Sequence, residues 1–298
     1  RSGRLHFERH AKPAGERDGD SRARDARVNP LFLPAGAPSL QRCDRCGATW
    51  PELATSSQCP DCGGLLGVVH ARMAIEGATL RAEFNSRHHA SGVWRFRDLV
   101  MPGAGAVVSW PEGNTPLVSR ERVAEYSGVR SLHLKHEGMN PTGSFKDRGM
   151  TVAVSHAVRA GARAIACAST GNTAASLAAY AAHAGLPALV FVPKGKVSTG
   201  KLAQATAYGA KTLLVDGDFD ACQNAVKAVF DDGDFAAELA GRHGLALSSA
   251  NSINWGRLMP QIAYYASAYA DMVARGALAA GLPLDVCVPT GNFGNILA

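Results

Sequence analysis

The segment Ala164-Ile-Ala-Cys-Ala-Ser-Thr-Gly-Asn-Thr-Ala-Ala-Ser-Leu-Ala-Ala-Tyr180 decides the fold, because it joins a short apolar run to a polar loop and an alanine-rich run. The apolar run Ala164–Ala168 is typical of a strand that is buried on both faces. The alanine-rich run at 173–184 is long enough for a helix, and Gly with Asn in the loop between them marks a turn. The segment therefore predicts one strand-turn-helix unit of a parallel α/β sheet.

The same alternation continues on both sides of this segment. We predict strands at 132–135, 164–168, 188–192, 212–215, 245–248 and 284–288, and helices at 145–160, 173–184, 198–208, 219–230 and 256–274. Short apolar runs between longer helical runs predict a mostly parallel sheet with helices on both faces. Ligands of such sheets bind beyond the carboxyl ends of the strands, so the loops after Ala168 and Val288 are the expected binding loops.

Composition excludes several classes of protein. The chain has 298 residues, of which 46% are hydrophobic and 19% are charged, and its formal net charge is +6. These values fit a globular chain and exclude a wholly disordered or collagen-like one. The longest stretch without Asp, Glu, Lys or Arg, 164–193, is interrupted by polar residues and Pro187, so we expect no membrane span.

Residues 1–38 are predicted to form a disordered basic arm. Within 1–27, eight Lys or Arg are interspersed with five Asp or Glu, and large apolar residues are few. The arm lacks the apolar region of a secretory signal, and its acidic residues argue against a transit peptide, so we expect a soluble, cytoplasmic protein. The small excess of basic residues is weak support for a nucleic-acid partner, which usually requires clustered Lys and Arg with aromatic residues.

Two cysteine pairs lie in the segment 41–67, as Cys43-Asp-Arg-Cys46-Gly and Cys59-Pro-Asp-Cys62-Gly. Thiolates at this spacing can bind one tetrahedral ion, which predicts a structural Zn²⁺ ribbon without an open position for catalysis. The alternatives are disulfides, which are rare in the cytosol, or a ribbon without metal. The remaining cysteines are predicted to be small buried residues, namely Cys167, Cys222 and Cys287.

A lysine lies within the segment Asn140-Pro-Thr-Gly-Ser-Phe-Lys146-Asp-Arg-Gly149. Ser144 with Asp147 three residues later predicts a capping box, which places Lys146 in the first turn of a helix. The positive end of a helix disfavours an ammonium group and so predicts a lowered pKa for Lys146. A neutral amine is what Schiff-base chemistry requires, although an ordinary solvated lysine beside a helix cap is the alternative.

Two further loops could hold the same ligand. The loop Ser169-Thr-Gly-Asn-Thr173 offers backbone N–H groups and short polar side chains to an anion or a ring hydroxyl, or it simply caps a helix through Thr170 or Asn172. The loop at 289–295 has two Gly and two Asn within five positions, which predicts either a phosphate-binding nest or a plain glycine-rich turn.

Together these segments resemble the pyridoxal-phosphate enzymes of the tryptophan-synthase-β fold, and within them the threonine synthases. The segment 136–150 is similar to that family's lysine segment, and 169–180, 251–257 and 288–295 are similar to its other motifs. The resemblance begins at about residue 113, and the cysteine ribbon resembles one found at the N-terminus of some members. It implies an α/β protein of PLP fold type II, with a large domain from 70–146 and 256–298 and a small domain from 147–255.

The resemblance also implies a role for individual residues. Lys146 would bind pyridoxal 5'-phosphate as a Schiff base and later move protons at Cα and Cβ of the substrate, and Asn172 would bind the ring hydroxyl. Backbone amides would bind the cofactor phosphate at Gly291, Asn292, Phe293, Gly294 and Asn295. The implied substrate-binding residues are Ser169, Thr173, Asn251, Ser252 and Arg257. Arg257, which could otherwise be a surface residue, would bind the phosphate of O-phosphohomoserine.

The implied reaction is a β,γ-replacement in threonine biosynthesis. The cofactor acts as an electron sink, phosphate leaves from Cγ, and water adds at Cβ to give L-threonine. We expect a small-molecule substrate and neither a nucleic-acid nor a membrane partner, and a homodimer is left open. The alternatives are a threonine/serine dehydratase, a cysteate-synthase-like lyase, a non-catalytic homologue, and a zinc-ribbon protein that binds nucleic acid.

The position at which the chain ends leads to one more expectation. In the family, a helix, further strands and the polar partner of the pyridine nitrogen follow the phosphate loop, whereas this chain ends three residues after Asn295. We therefore expect a C-terminally truncated sequence in which that partner lies beyond residue 298.

Overall fold

The computed structural model describes residues 39–53, 58–70, 90–195, 199–231, 234, 238, 247–249, 259–289 and 294–297, so the predicted arm lies outside the described residues. The chain divides into two units, 1–32 and 33–298, and every described residue belongs to the second. None of the described helices is long and apolar enough to cross a membrane.

A small antiparallel sheet carries the cysteine pairs. Its strands are β1 (Ser39–Cys43), β2 (Thr49–Pro51) and β3 (Leu66–His70), in the order β2-β1-β3. Its buried cluster is formed by Cys43, Cys59 and Leu66. So few apolar side chains stabilise a sheet poorly, and small domains of this kind usually depend on a metal or on disulfides.

Short elements fill the part of the chain that precedes the lysine segment. A 3-10 turn at Trp94–Phe96 leads into helix α1 (Arg97–Val100), and helix α2 (Glu121–Ser127) connects two short strands. These strands, β4 (Leu117–Ser119) and β5 (His133–Lys135), pair antiparallel. The strand predicted at 132–135 is therefore present, but it belongs to a separate sheet from the strands that follow.

A four-stranded parallel sheet forms where the alternating pattern predicts it. Helices α3 (Lys146–Arg159), α4 (Asn172–His183), α5 (Thr199–Ala207) and α6 (Phe219–Asp231) alternate with strands β6 (Ala164–Ala168), β7 (Ala188–Pro193), β8 (Lys211–Val215) and β9 (Leu247–Ser249). The strand order is β8-β7-β6-β9, and all three pairings are parallel.

Helices cover both faces of this sheet, as predicted. On one face, Ile165 and Cys167 of β6 pack with Leu177 of α4 in the largest apolar cluster. The alternate residues Ala166 and Ala168 point to the other face, where they pack with Cys222 and Val226 of α6. The alanines of α4 permit close packing, and every residue from 174 to 181 is buried. Cys167 and Cys222 are buried, as the sequence predicts.

The C-terminal part differs from the prediction in two respects. A 3-10 turn at Met259–Gln261 precedes helix α7 (Ile262–Ala274), because Pro260 has no N–H group to donate to a regular helix. The strand predicted at 284–288 is wrong: residues 282–289 form no strand, and no described strand lies beside them to supply ladder hydrogen bonds. The predicted burial of Cys287 is also wrong. Cys287 lies in this segment without a strand, and it is exposed. The last described element is helix α8 (Gly294–Leu297).

Candidate active site

Lys146 is the first residue of α3, as the sequence predicts. The Lys146 backbone N–H donates to Ser144 Oγ over 3.3 Å, and Phe145 occupies the N-cap position without a side-chain hydrogen bond. The Lys146 side chain is half-buried, and its Nζ lies 4.5 Å from the centroid of the Phe145 ring. The amine is therefore at the N-terminal end of a buried helix.

The predicted capping box between Ser144 and Asp147 is wrong. The Asp147 carboxylate accepts hydrogen bonds from the Thr142 N–H over 2.7 Å and from the Thr142 hydroxyl over 2.5 Å. It also accepts a hydrogen bond from the Ser176 hydroxyl of α4 over 2.6 Å. Asp147 is fully buried, so its carboxylate binds the three donors that surround it rather than the backbone of Ser144. Burial raises the pKa of Asp147 above its ordinary value, although these hydrogen bonds oppose the change.

The loop between β6 and α4 leads into the helix that the Asp147 carboxylate contacts through Ser176. Ser169 is buried, and its Oγ accepts the Gly171 N–H over 3.2 Å. Gly171 is the N-cap residue and forms no side-chain cap, so neither Thr170 nor Asn172 caps α4. A Cβ at Gly171 would meet no atom within 4 Å, so the loop borders open space. Asn172 and Thr173 form the first turn of α4, at the same end of the helix pair as Lys146.

A buried ion pair lies two residues after the lysine. Arg148 is 1% exposed and binds Glu137 through both carboxylate oxygens, Nε to Oε2 over 2.7 Å and Nη2 to Oε1 over 2.9 Å. Glu137 also accepts hydrogen bonds from the Thr115 hydroxyl over 2.7 Å and from Asn140 Nδ2 over 3.0 Å. Burial alone would raise the pKa of Glu137, but the Arg148 guanidinium outweighs it and holds this pKa below its ordinary value. Sequence reasoning missed this pair, although opposite charges within 136–150 were the available signal.

The carboxylate of Glu112 joins α4 to the chain segment at 109–112. Glu112 is fully buried and accepts hydrogen bonds from the Tyr180 hydroxyl over 2.9 Å, the Trp110 N–H over 3.0 Å and the Ser109 hydroxyl over 3.0 Å. The Ser91 hydroxyl is a further donor. Burial and the nearby Glu112 charge raise the pKa of Tyr180, so its phenol remains protonated and keeps donating. Sequence reasoning did not identify these residues either.

The candidate phosphate loop is described only at its ends. Asn295 is buried, and its Nδ2 donates to the Pro289 carbonyl over 3.1 Å. The Tyr265 hydroxyl of α7 donates to the Asn295 carbonyl over 2.5 Å. Gly294 begins α8. Several predicted site residues lie outside the described residues, namely Asn251, Ser252, Arg257, Gly291, Asn292 and Phe293.

The four predicted metal ligands form one cluster. The Sγ atoms of Cys43, Cys46, Cys59 and Cys62 all lie within 4.8 Å of one another. The distance from Cys43 Sγ to Cys62 Sγ is 3.4 Å, and that from Cys46 Sγ to Cys59 Sγ is 3.6 Å. Sulfurs bound tetrahedrally to Zn²⁺ at about 2.3 Å would lie about 3.8 Å apart, so the cluster has the size of such a site.

The backbone around the cluster favours a thiolate at Cys43, while the pKa values of Cys46 and Cys62 are raised, in part by the neighbouring thiols and by burial. The N–H groups of Cys46 and Arg45 point at Cys43 Sγ and lower the pKa of Cys43 to about 6. A Cβ at Gly64 would lie 2.7 Å from the same sulfur, so only glycine fits there. The cluster can therefore hold a metal ion that prefers sulfur ligands.

Comparisons with known proteins agree with this arrangement. Residues 108–298 match the family model described as "Pyridoxal-phosphate dependent enzyme". The threonine synthase of Methanocaldococcus jannaschii is 42% identical over 267 residues, which cover 87% of this chain and 59% of that protein. The threonine synthase of Methanosarcina acetivorans is 40% identical over 261 residues, which cover 86% of this chain and 58% of that protein. The chain thus spans less than two thirds of the length of these curated relatives.

A solved structure supports the fold. The crystal structure of threonine synthase from Escherichia coli superposes with a TM-score of 0.55 at 23% identity, over 82% of this chain and 55% of that chain. Together with the parallel sheet and the family match, this likeness identifies the fold as PLP fold type II. Because the family model covers well over half of the chain and includes Lys146, the chain belongs to the family of pyridoxal-phosphate-dependent enzymes.

Proposed function

We propose that the protein is a threonine synthase, which converts O-phospho-L-homoserine and water to L-threonine and phosphate. The similarity to threonine synthases at 40% identity and above supports this substrate over those of a dehydratase. The observation that carries the proposal is the hydrogen bond between Asp147 and Ser176, which joins the first turn of α3 to α4. It brings the amine of Lys146 and the polar loop at 169–173 to one end of the helix pair.

The described residues fit pyridoxal phosphate. The family-matched lysine is at a helix N-terminus, and open space borders Gly171 at the neighbouring loop. When it is bound, pyridoxal phosphate supplies an electron sink for negative charge that develops on the substrate carbons. Asn172 would bind the ring hydroxyl, and the backbone amides of Gly291, Asn292, Phe293, Gly294 and Asn295, of which the first three lie outside the described residues, would hold the phosphate.

The remaining residues handle the substrate. Lys146 takes a proton from Cα and later transfers protons at Cβ, as a general base must when it lies within hydrogen-bond reach of both atoms. Ser169, Thr173, Asn251 and Ser252 would orient the amino acid, and Arg257 would bind its phosphate, since a guanidinium offers paired N–H donors that suit a phosphate. Phosphate leaves from Cγ, and Cβ loses one proton and gains the hydroxyl of water. Cγ gains one proton, Cα regains the proton it lost, and the second proton of water leaves with the phosphate.

The test is a product assay with the purified full-length protein. We expect O-phosphohomoserine to yield threonine and phosphate in equal amounts, and Lys146→Ala to lower kcat by about 10³-fold or more, since it removes the nucleophile and base. Borohydride should attach a pyridoxyl group to Lys146. The matched control is Lys194→Ala, which removes an exposed lysine paired with Asp216 and should leave both results unchanged.

Two results would contradict the proposal. Deamination of threonine without release of phosphate from O-phosphohomoserine would identify a dehydratase. A pyridoxyl adduct that survives in Lys146→Ala would show that another lysine carries the cofactor.

We further infer that Cys43, Cys46, Cys59 and Cys62 bind one structural Zn²⁺. The size of the sulfur cluster supports this inference, and all four tetrahedral positions would be filled by protein ligands. Metal analysis should find one zinc per chain, and Cys46→Ser should lower this stoichiometry, whereas the exposed Cys287→Ser should not. An unchanged zinc content in Cys46→Ser and Cys62→Ser would contradict the assignment.

The remaining assignments are also proposals. We propose a cytoplasmic enzyme with a small-molecule substrate and with neither a nucleic-acid nor a membrane partner, and a homodimer is left open. We propose a large domain from 70–146 and 256–298 and a small domain from 147–255. Hydrogen exchange in which 147–255 opens as one unit, separately from 70–146 and 256–298, would support this division, and a single common opening of all three ranges would oppose it.

A further inference from the structure

A polar stripe runs along one face of the alanine-rich helix α4. Asn172, Ser176 and Tyr180 follow one another at four-residue spacing, so their side chains lie on the same face of the helix. Ser176 and Tyr180 are both fully buried, and each hydroxyl donates to a buried carboxylate. Asn172 continues the stripe at the exposed end, one turn beyond Ser176.

The carboxylate that binds Ser176 is next to the lysine in the chain. Asp147 follows Lys146 directly, and it holds the preceding loop through two hydrogen bonds from Thr142. Gln204 of α5 donates to the Thr142 carbonyl over 3.1 Å, so the same loop is also held from a third helix. The 2.6 Å bond between Asp147 and Ser176 therefore fixes the first turn of α3 against the polar stripe of α4.

We propose that Asp147 and Ser176 are positioning residues, which set the Lys146 amine relative to the Asn172 amide. This inference rests on the proposed roles of Lys146 and Asn172 in holding the cofactor. Neither Asp147 nor Ser176 touches the cofactor: they act by fixing two groups that do. A cofactor that must contact both helices binds more tightly when the helices are already held in the bound arrangement.

Removal of the bond between Asp147 and Ser176 should lower the affinity for the cofactor. Without the Ser176 hydroxyl, apolar packing still holds α3 against α4, but the first turn of α3 loses its polar link to α4, and binding would have to order that turn. One hydrogen bond to a charged group corresponds to a change of about 10-fold in an equilibrium constant. We therefore expect Ser176→Ala to raise the Kd of pyridoxal phosphate by about 5- to 10-fold, measured by cofactor absorbance after removal and return of the cofactor.

Ser155→Ala is the matched control. Ser155 is also a buried serine, and its Oγ accepts the Val108 N–H over 2.8 Å and donates to the Thr151 carbonyl over 2.7 Å. It lies more than two turns further along α3 from Lys146. Ser155→Ala should therefore lower the unfolding temperature about as much as Ser176→Ala but change the Kd by less than 2-fold. Equal changes of Kd in the two variants would overturn the proposal.

A double-mutant cycle provides a second test. If Ser176 acts through Asp147, then Ser176→Ala should add less than 2-fold to the Kd change of Asp147→Ala, since Asp147→Ala has already removed the acceptor of the Ser176 hydroxyl. Fully multiplicative effects would overturn the proposal. Relative to the wild type, Ser176→Ala should lower kcat by a larger factor than it raises KM, because a misplaced amine slows proton transfer without removing a substrate contact.

The design separates this inference from the proposed function. Wild-type protein that binds pyridoxal phosphate but forms no threonine would refute the proposed reaction, while the Kd comparison would still decide the positioning role. Unchanged cofactor affinity in Ser176→Ala, in an enzyme that forms threonine normally, would refute the positioning role alone.

Discussion

Helix α3 is held at its two ends by ion pairs of the same chemical kind in different surroundings. At the end that begins with Lys146, the Arg148 side chain is 1% exposed and binds both oxygens of Glu137. At the other end, the Arg159 side chain is 22% exposed and forms a single 3.2 Å contact with Glu52 of the cysteine ribbon. His156 Nε2 lies 3.1 Å from the Glu52 carbonyl, so the ribbon contacts the helix at this second end.

Burial determines what each pair does for the molecule. A pair with a buried member adds little net stability, but removal of one partner leaves a charge that is poorly hydrated: Arg148 is 1% exposed and Glu137 is 19% exposed. A partly exposed pair can exchange its partner for water at little cost. The end that carries the lysine is therefore the rigid end, and the end that carries the ribbon tolerates change.

The largest expected effect comes from the buried cation. Arg148→Met would leave the Glu137 carboxylate without its guanidinium, and we expect a loss of about 3–5 kcal/mol in the free energy of unfolding. The measurement is urea unfolding followed by circular dichroism. Arg159→Met is the control and should cost about 1 kcal/mol or less. Similar losses in the two variants would show that the two ends of α3 do not differ.

A smaller loss is expected at the amide that supports the buried pair. Asn140 Oδ1 accepts the Gly113 N–H over 2.8 Å, while its Nδ2 donates to Glu137. Asn140→Ala leaves Gly113 without this acceptor, so we expect a loss of about 1–3 kcal/mol by the same urea measurement. Asn140→Asp keeps an oxygen that can accept the Gly113 N–H, but it places a second carboxylate beside Glu137. We therefore expect Asn140→Asp to be less stable than the wild type as well. If Asn140→Ala unfolds at the same urea concentration as the wild type, the Asn140 amide does not support the buried pair.

The third prediction concerns pH. Glu137→Gln leaves the fully buried Arg148 guanidinium without its counter-charge, although the amide oxygen can still accept one of its hydrogen bonds, and should cost about 2 kcal/mol at neutral pH. Because the pKa of Glu137 is lowered in the folded protein, its contribution is present above the ordinary value of 4.5 and is lost as pH falls through the lower folded value. The difference in unfolding free energy between wild type and Glu137→Gln should therefore be constant above about pH 6. It should shrink as the pH falls below 4.5. A difference that widens in acid would contradict this assignment.

The sequence predicts the parallel sheet well because its signal is local. Ala164–Ala168 is apolar throughout, and the structure forms a strand there with the predicted bounds. Lys146 likewise begins a helix, since its neighbours carry the turn residues that precede one. The cluster of four cysteines was also predictable from a local signal, because the C-x-x-C spacing brings the two sulfurs of each pair close together.

Side-chain hydrogen bonds between residues far apart in the sequence could not be predicted from local patterns. Asp147 has Ser144 at capping distance in the sequence, but in the fold it meets Ser176, which is 29 residues away. Glu112 meets Tyr180 across 68 residues, and no local pattern indicates that pairing. The residues 284–288 read as a strand from their composition, yet a strand also needs a neighbour, and composition carries no information about neighbours.

The smallest expected effect comes from the ribbon end of α3. Glu52→Gln removes the charge that faces Arg159 but keeps the backbone carbonyl near His156, so we expect a loss of about 0.5 kcal/mol or less. Raising the salt concentration should shrink this loss further, because both side chains reach solvent and are screened. The Kd of pyridoxal phosphate should stay within 2-fold of the wild-type value. A Kd change as large as that of Ser176→Ala would mean that the ribbon acts on the lysine through the full length of α3, and the division of this helix into a rigid and a tolerant end would then be wrong.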